Sequence, residues 1–374
     1  MVRVLHAVPD MGAGGIENYV MNMYRRIDPS EVSFDFLVHH RAKAFFDDEI
    51  EARGGRIYRL PVLDDKNVPA YLAALRRLFA QGEWDVVHGH AASLAGLYLG
   101  AAERAGVPAR IAHSHGASFL RTPKGYAKML LFKGAAHHAN IRLACSTEAG
   151  RYLFGEAPFH LAKNAIDPAR FAFDPAARGR ARTELGVSAG QLVVGHVGRF
   201  NLQKNHRFLV EAFSELSGMR PDARLALVGA GETQADVRRQ VSALGLSGKV
   251  SFLPVTDRPQ DLYAAMDVFV LPSLFEGLPL VGVEAQASGL PCVFSSEVTR
   301  EVQISPEARF VDLAAGPRAW AEAVLEARPP ADRSRAAAQV AAHGFDVAGN
   351  TERMARFYRA AAEGRLDSVD AILG

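Results

Sequence analysis

The sequence predicts an α/β protein with two doubly wound, parallel-sheet domains. Short, continuously apolar runs alternate with amphipathic helical patterns along the chain, which is typical of a parallel sheet covered by helices on both faces. This alternation occurs once in each half, and 374 residues suffice for two cores of ordinary size. We therefore expect one domain over residues 1–170, a second over 171–349, and a final helix within 350–374.

The first half carries seven predicted strands separated by helical patterns. Residues 2–8 form the first strand, and a glycine-rich turn then leads into a helix over 16–27. Such a turn lets a ligand approach the backbone closely, although many α/β proteins use one only to reverse the chain. The other predicted strands are 32–39, 56–60, 85–88, 110–113, 141–146 and 159–163, with helices over 45–53, 71–80 and 93–105.

The second half repeats this architecture without a residue-level repeat. A connector over 164–175 contains two prolines and two aspartates, and it marks the domain boundary. Ligands of open α/β sheets bind beyond the carboxyl ends of the strands, so the loops after these strands are the place to search for a site. The predicted strands are 192–198, 224–228, 249–253, 268–271 and 292–295, and a helix covers 178–185.

Composition narrows the class of protein. The net charge is only +2 and charged residues make up 22% of the chain, so neither disorder nor a nucleic-acid partner is indicated. Cys145 and Cys292 lie in separate apolar runs, as expected of buried thiols in a reducing compartment. No signal peptide is evident, and no apolar run reaches the roughly 18 residues that a spanning helix needs. We expect a cytoplasmic protein, either free or peripheral at the inner face of the plasma membrane.

The stretch 267–291 organises the rest of the sequence. Its apolar strand, 268–271, runs through a turn into a helix whose start is marked by Gly277 and Pro279. The first N–H groups of a helix have no partner within that helix and lie at the positive end of its dipole. The amides of residues 277–281 would therefore favour an anion.

Two glutamates accompany this turn, eight residues apart. Glu276 stands in the turn, and Glu284 is the only charge in an otherwise apolar helix. A buried carboxylate without a partner costs several kcal/mol, so Glu284 should face a ligand or a donor group. The alternative is that both glutamates are solvated, one in a loop and one at the helix edge.

Two cations follow an earlier strand of the same half. Arg199 and Lys204 come after the strand 192–198, and this order delivers them to the edge that carries Glu276. Arginine can bind phosphate oxygens in a bidentate fork and lysine adds a point charge, so together they would neutralise a diphosphate. The alternative is a pair of solvated cations in a loop.

These motifs resemble the signature of the retaining GT-B glycosyltransferases of family 4. The resemblance rests on the Glu-x7-Glu spacing of Glu276 and Glu284 around Gly-Leu-Pro-Leu, and on the Gly-Arg…Lys-Asn pattern over 198–205. The branch that builds exopolysaccharide or capsule is the most similar, although Ala165 stands where that family commonly has glycine. Supporting segments are Gly14 to Glu17, 153–155, 164–167, the glycine turn at 228–232 and the segment 250–254.

The resemblance implies a GT-B fold, with two Rossmann-like domains facing across a cleft and a C-terminal helix that crosses back onto the first domain. It implies transfer of a hexose from a nucleotide diphosphate sugar, a UDP-sugar, to a saccharide or lipid-linked saccharide with retention, and with no metal or other cofactor. The implied catalytic residues are His115, Arg199, Lys204 and Glu276. The implied donor-binding residues are Gly14, Gly15, Gly198, Arg199, Lys204, Gly229, Pro254, Val255, Glu276, Gly277, Leu278, Pro279, Leu280 and Glu284.

The resemblance also assigns individual roles. Glu284 would bind the ribose, and Glu276 the sugar hydroxyls. Arg199 and Lys204, with Gly14 and Gly15 of the other domain, would hold the diphosphate. The turn at Gly229, with Pro254 and Val255, would border the base, although structural turn packing explains these three residues nearly as well.

Two His-x-His pairs support a rival function. His88 and His90, like His113 and His115, each follow a strand, and residues two apart in an extended chain share a face. Each pair could ligate a metal, and a metal-dependent hydrolase is one alternative function. A non-catalytic sugar-nucleotide binding protein is another. The resemblance instead implies that His115 contacts the donor sugar.

A basic segment lies within an acid-free stretch of 44 residues, 104–147. From Arg121 to Lys133, lysines interleave with apolar side chains at helical spacing. A basic amphipathic helix can lie on an anionic membrane surface or hold a pyrophosphate-linked acceptor. The alternative is a core-facing helix with a solvated basic face, and the sequence leaves both interpretations open.

Overall fold

A computed structural model describes residues 1–63, 66–91, 94–116, 137–330, 332–365 and 369–373. The basic segment from Arg121 to Lys133 lies outside these residues. The chain divides into two compact units, one made of Met1–Ala165 with Val347–Gly374 and one of Ile166–Asp346. Each unit contains one parallel sheet flanked by helices, which confirms the predicted fold class.

The first unit is built on a seven-stranded sheet with the order β3-β2-β1-β4-β5-β6-β7, all pairs parallel. Its central strands are fully buried, because apolar side chains of both faces pack under helices. The strands are β1 (Val2–Val8), β2 (Val32–Val38), β3 (Ile57–Arg59), β4 (Val86–Gly89), β5 (Ala109–Ser114), β6 (Ile141–Ala144) and β7 (His160–Leu161).

Helices of the first unit come from both ends of the chain. The long helix Val347–Ala362 packs on β1, β2 and β4, and its Tyr358 is fully buried with its ring against Phe34. The last part of the chain therefore completes the core that the first part begins. The other helices of this unit are Gly15–Tyr24, Asp47–Ala52, Val68–Gln81, Ala95–Arg104, Thr147–Phe154 and Val369–Leu373.

The second unit has a six-stranded parallel sheet with the order β10-β9-β8-β11-β12-β13. Its edge strand, β13 (Arg309–Val311), was not predicted from the sequence, because this strand has only three residues and none is fully buried. The order places β8 and β11 side by side at the centre, where the strand order reverses. The other strands are β8 (Val193–Val197), β9 (Arg224–Val228), β10 (Val250–Leu253), β11 (Val268–Leu271) and β12 (Cys292–Ser295).

The two ends of the second unit lie beside each other. The amide of Ile166 donates to the carbonyl of Phe345 at 3.0 Å, and Ile166 forms a parallel bridge with Asp346. The chain reaches this point through Gly344, whose φ of 83° ends the preceding helical turn. Helices of this unit are Pro175–Glu184, His206–Met219, Gln234–Ala243, Pro259–Ala265, Leu280–Ala287, Gly316–Glu326 and Ala336–Val340.

Cys145 and Cys292 are both buried thiols. Among the helices of the described residues, none is long and apolar enough to cross a membrane.

A network of charges fastens the first helix of the second unit to its sheet. Asp267 pairs with Arg178 at 2.5 Å and with the buried Arg182 at 3.2 Å, and it accepts from the amide of Val193 at 2.8 Å. Arg182 also donates to the carbonyl of Ala265 at 3.0 Å. The network therefore links the helix Pro175–Glu184 to the starts of β8 and β11.

Removing the charge of Asp267 should destabilise this unit. In Asp267→Asn the guanidinium of Arg182 stays buried without its carboxylate, which costs about 3 kcal/mol. For a unit of this size, that cost lowers Tm by about 6–12 °C. Differential scanning calorimetry measures the shift, and Asp236→Asn, in an exposed pair with Arg239, should leave Tm within about 2 °C. Equal shifts in the two variants would contradict this assignment.

Candidate active site

In the second unit, the loop after β8 is held by the glycine turn that follows β9. The amide of Gly198 donates to the carbonyl of Val228 at 3.0 Å, and that of Phe200 to Ala230 at 2.9 Å. Gly229 has a φ of 139°, and a Cβ on it would lie 2.2 Å from the carbonyl oxygen of Gly198. This close backbone approach requires glycine. The predicted site residues Gly198 and Gly229 are thus in direct contact.

Lys204 and Glu276 form the central pair of this edge. The ammonium of Lys204 lies 2.7 Å from Oε1 of Glu276, and the two side chains are only 14% and 9% exposed. The side-chain amide of Gln203 donates through Nε2 to Oε2 of Glu276 at 3.2 Å and to the carbonyl of Phe275 at 3.0 Å. Lys204 and Glu276, two predicted site residues 72 positions apart, therefore meet. Gln203, which was not predicted from the sequence, is a second donor to the carboxylate.

Arg199 has a different environment. Its side chain is 70% exposed, and its nearest ion-pair contact is with Glu232, where Nε lies 3.7 Å from Oε2. An exposed pair at this distance contributes little to stability. The guanidinium is therefore free to turn towards an incoming anion at small energetic cost.

Glu284 is held from one side by a buried tyrosine. The hydroxyl of Tyr263 donates to Oε2 of Glu284 at 2.8 Å. Burial raises the pKa of Glu284, against the opposing effects of that hydrogen bond and of the charges of Arg170 and Lys204. A donor or ligand for this carboxylate was expected from the sequence, but Tyr263 was not predicted, since it lies 21 residues away on another helix.

The helix Leu280–Ala287 begins directly after this turn. Pro279 is its N-cap residue, and Leu278 and Leu280 are buried. The amide-bearing segment from Gly277 to Leu280 follows Glu276, as the sequence predicted. Pro254 and Val255 follow β10 and are exposed, so they have surface available to a ligand.

In the first unit, the predicted glycine turn adjoins an acid. Gly14 is the N-cap of the helix Gly15–Tyr24, and a Cβ on it would lie 2.2 Å from Oε2 of Glu17. A Cβ on Gly15 would meet nothing within 4 Å. Glu17 is itself buried. A carboxylate therefore lies at the start of this helix, where a negative charge is favourable, and the space on the Cβ side of Gly15 is open.

His115 belongs to a chain of hydrogen-bonded histidines in the same unit. Its Nε2 lies 2.8 Å from Nδ1 of His90, and Nε2 of His90 lies 3.1 Å from Nδ1 of His6. Next to this chain, Nε2 of His88 lies 3.0 Å from Nδ1 of His113, and Nδ1 of His88 lies 2.6 Å from the hydroxyl of Tyr358. Of these residues, His6 was not expected to take part.

Burial keeps these imidazoles neutral. It lowers the pKa of His6 and of His115 to about 3, and a hydrogen bond with Asn164 acts in the opposite direction at His115. Burial and the neighbouring histidines hold the pKa values of His88, His90 and His113 well below the ordinary range. Two groups, His6 with His88 and His90 and His90 with His113 and His115, have ring nitrogens close enough to hold a metal ion.

Both halves of the chain are similar to known protein families. A family model described as "Glycosyl transferase 4-like domain" matches residues 14–157, and one described as "Glycosyl transferases group 1" matches residues 191–328. "Putative glycosyltransferase EpsF" of Bacillus subtilis (strain 168) is 37% identical over 309 residues, covering 80% of this chain and 80% of that protein.

Two further similarities concern a curated protein and a solved structure. The "UDP-Gal:alpha-D-GlcNAc-diphosphoundecaprenol alpha-1,3-galactosyltransferase" of Escherichia coli is 30% identical over 239 residues, covering 60% of this chain and 61% of that protein. The crystal structure of HepE from Anabaena in complex with UDP and glucose has a TM-score of 0.80 at 18% identity, covering 96% of this chain and 100% of that chain.

The two parallel sheets are those of a GT-B fold, and the two family models define the protein as a glycosyltransferase. The chain belongs to the group 1 glycosyltransferases, family 4, as its motifs indicated.

The contact between Gly229 and Gly198 should be essential for the shape of the site. In Gly229→Ala the new methyl group meets the carbonyl of Gly198, and the φ of 139° becomes strained, so the loop that carries Arg199 and Lys204 must shift. We expect at least a ten-fold loss of UDP affinity by calorimetry. Gly190→Ala is the matched control, since a Cβ there meets nothing within 4 Å. Unchanged UDP affinity in Gly229→Ala would show that this contact does not shape the site.

Proposed function

We propose that the protein is a retaining glycosyltransferase that moves a hexose from a UDP-sugar to a saccharide or lipid-linked saccharide acceptor, in the synthesis of exopolysaccharide, capsule or a related glycan. The observation that carries the proposal is the buried pair of Lys204 and Glu276 at the edge where β8 and β11 end. The name of the Escherichia coli relative, with a UDP-sugar donor and a diphosphoundecaprenol-linked acceptor, supports the two substrate classes.

Lys204 and Glu276 bind the donor on the two sides of the bond that breaks. Lys204 binds the diphosphate, and Glu276 binds the sugar. The diphosphate of the donor is an anion that competes with Glu276 for the ammonium of Lys204. Once Lys204 binds phosphate, the carboxylate of Glu276 loses its cation and accepts hydrogen bonds from the sugar hydroxyls. The same event thus positions the leaving group and the sugar.

Charge develops on the diphosphate as the bond to the anomeric carbon breaks. Lys204, the exposed Arg199 and the backbone N–H groups of Gly277, Leu278 and Leu280 stabilise that charge. The acceptor oxygen attacks the face from which the diphosphate leaves, and its proton passes to a phosphate oxygen, so the configuration is retained. His115 contacts the donor sugar. These cations carry out the neutralisation, and the transfer needs no metal ion.

The nucleoside is bound by the second unit. One oxygen of Glu284 accepts from Tyr263, and the carboxylate has further capacity for the two ribose hydroxyls. The exposed Pro254 and Val255 border the base together with the turn at Gly229. Gly14 and Gly15 of the first unit are further candidates for binding the diphosphate.

The reaction takes place in the cytoplasm, where the lipid-linked acceptor is presented at the inner face of the membrane. The contact of the segment from Arg121 to Lys133 with an anionic lipid surface remains a prediction.

Turnover is tested with a panel of nucleotide sugars. The protein should release UDP slowly from one UDP-sugar without acceptor and faster with a lipid-linked saccharide, with EDTA present throughout. The product should show the anomeric configuration of the donor by NMR. Arg199→Ala and Lys204→Ala should each lower kcat by at least 100-fold, as expected when a group that stabilises transition-state charge is lost.

Arg258→Ala is the matched control, because Arg258 forms an exposed pair with Asp261 on the next helix. Full activity of Arg199→Ala and Lys204→Ala would remove these cations from the mechanism. Activity that EDTA abolishes would favour the metal-dependent alternative.

Binding of UDP alone should depend on Glu284. In Glu284→Gln the charged acceptor of the ribose hydroxyls is lost, which costs roughly 1.5–3 kcal/mol, or about a ten- to hundred-fold weaker Kd. Because burial raises the pKa of Glu284, its charge is lost on acidification at a higher pH than that of an exposed glutamate. The wild-type affinity should therefore fall towards low pH more steeply than that of Glu284→Gln, as calorimetry at several pH values can measure.

Glu276→Gln is the companion variant. It should bind UDP at least as well as the wild type, since Lys204 is released from its partner, while the UDP-sugar loses affinity. An identical UDP affinity of Glu284→Gln and wild type in a folded protein would reopen the assignment of the whole turn.

A further inference from the structure

We propose that His90, His113 and His115 form a binding site for a divalent transition-metal ion, with Zn²⁺ as the best match. The site lies in the first unit and uses residues other than the nucleotide-binding ones of the second unit. It is an addition to the transfer reaction, which proceeds without metal, and it does not make the protein a metallohydrolase.

The three side chains already converge. One ring nitrogen from each lies within 4.8 Å of the others, and Nδ1 of His90 faces Nε2 of His115 at 2.8 Å. Tetrahedral zinc with Zn–N bonds of 2.0–2.1 Å separates its nitrogen ligands by about 3.3 Å. An ion therefore fits between these two nitrogens if the rings part by about half an ångström. Within the described part of the chain, Nε2 of His113 makes no hydrogen bond of normal geometry, although a backbone contact with Ala162 acts on this ring.

At His90 and His113 the outer nitrogen is engaged in the way that zinc ligands require. A histidine that binds metal through one nitrogen donates the N–H of the other to a neighbouring acceptor, which fixes the tautomer. Here Nε2 of His90 faces His6 at 3.1 Å, and Nδ1 of His113 faces His88 at 3.0 Å. His88 can accept the proton of His113 because its other nitrogen, Nδ1, faces the hydroxyl of Tyr358, whereas Nε2 of His6 makes no hydrogen bond within the described residues.

The donor set selects the metal. Three neutral imidazoles suit Zn²⁺, Cu²⁺, Ni²⁺ or Co²⁺, whereas Mg²⁺ and Ca²⁺ require oxygen ligands. Neither histidine group of the described residues includes a carboxylate. Three histidines leave a fourth position for water or another small ligand, as in catalytic rather than structural zinc sites.

Exposure decides between the two histidine groups. The group of His6, His88 and His90 is entirely buried, with each residue at most 2% exposed, and it offers no path for an ion. In the other group His115 is only partly buried, so an ion can enter past its ring. We therefore assign His6 and His88 to the outer contacts and not to the metal.

A bound ion would take His115 away from the donor sugar. Zn²⁺ should accordingly inhibit the transferase at concentrations that fill the site, and EDTA should restore activity. This consequence rests on the role of His115 in the proposed function, whereas metal binding itself does not.

The test uses the metal-free full-length protein. Calorimetric titration with ZnCl₂ should give one strong site per chain, and Co²⁺ should give the intense visible d–d absorption of a four-coordinate ion. His115→Gln should weaken Zn²⁺ binding by more than 100-fold. Loss of an outer partner in His88→Gln should weaken it by 10- to 100-fold, because outer partners typically have that effect. His343→Gln, a helix-end histidine of the second unit, should leave the affinity unchanged.

Thermal unfolding without metal shows whether each variant folds, and the partly exposed His115→Gln keeps the test valid if a buried variant does not. The proposal is overturned if the wild type binds Zn²⁺ no more tightly than His115→Gln, if Mg²⁺ competes equally, or if the Co²⁺ spectrum is that of a six-coordinate ion. If the histidines only hydrogen-bond to one another and bind no metal, the wild type will bind Zn²⁺ no more tightly than His115→Gln. Zinc binding without any transfer from nucleotide sugars would refute the proposed function and leave the metal site intact.

Discussion

The ion pair of Lys204 and Glu276 is the interaction on which the second unit's site depends. It joins the loop after β8 to the turn after β11, two segments that the sheet brings to adjacent strand ends. Both side chains are largely removed from water, so each charge relies on the other and on Gln203. A buried pair of this kind adds little to stability compared with apolar packing. In the proposed function an anionic ligand replaces one partner of the pair, which couples ligand entry to the release of a carboxylate.

Backbone contacts of two glycines hold the loop that carries Lys204. Gly229 and Gly231 approach the carbonyls of Gly198 and Phe200 so closely that no larger side chain fits. The loop that carries both cations is thereby fixed by backbone contacts, independently of the charges it holds. Arg199, at the exposed side of that loop, is the one that keeps conformational freedom. The site thus contains one lysine held in a buried ion pair and one exposed arginine.

Most of the fold could be predicted from the sequence, because buried parallel strands appear as continuous apolar runs and the longer helices as periodic ones. Twelve strands were expected near their observed positions, and the short, half-exposed β13 had no such signal. In the site, the spacing of the glutamates and the order of the cations predicted that Lys204 and Glu276 lie at one edge. Tyr263 and Gln203 could not be found in this way, since their roles depend on how separate elements pack. The same holds for His6, whose position beside His90 follows from the pairing of β1 with β4.

The adjacency of Ile166 and Phe345 affects the order in which the protein can fold during synthesis. The second unit is a continuous segment in which the amide of its first residue, Ile166, donates to the carbonyl of Phe345, one residue before its end, so all of its parts have been translated before the chain returns to the first unit. The first unit lacks the helix Val347–Ala362 until then, and with it Tyr358, which fills the space between Phe34 and His88. The N-terminal sheet therefore leaves the ribosome with an open hydrophobic face. Although the first unit is synthesised first, its core is completed after that of the second unit.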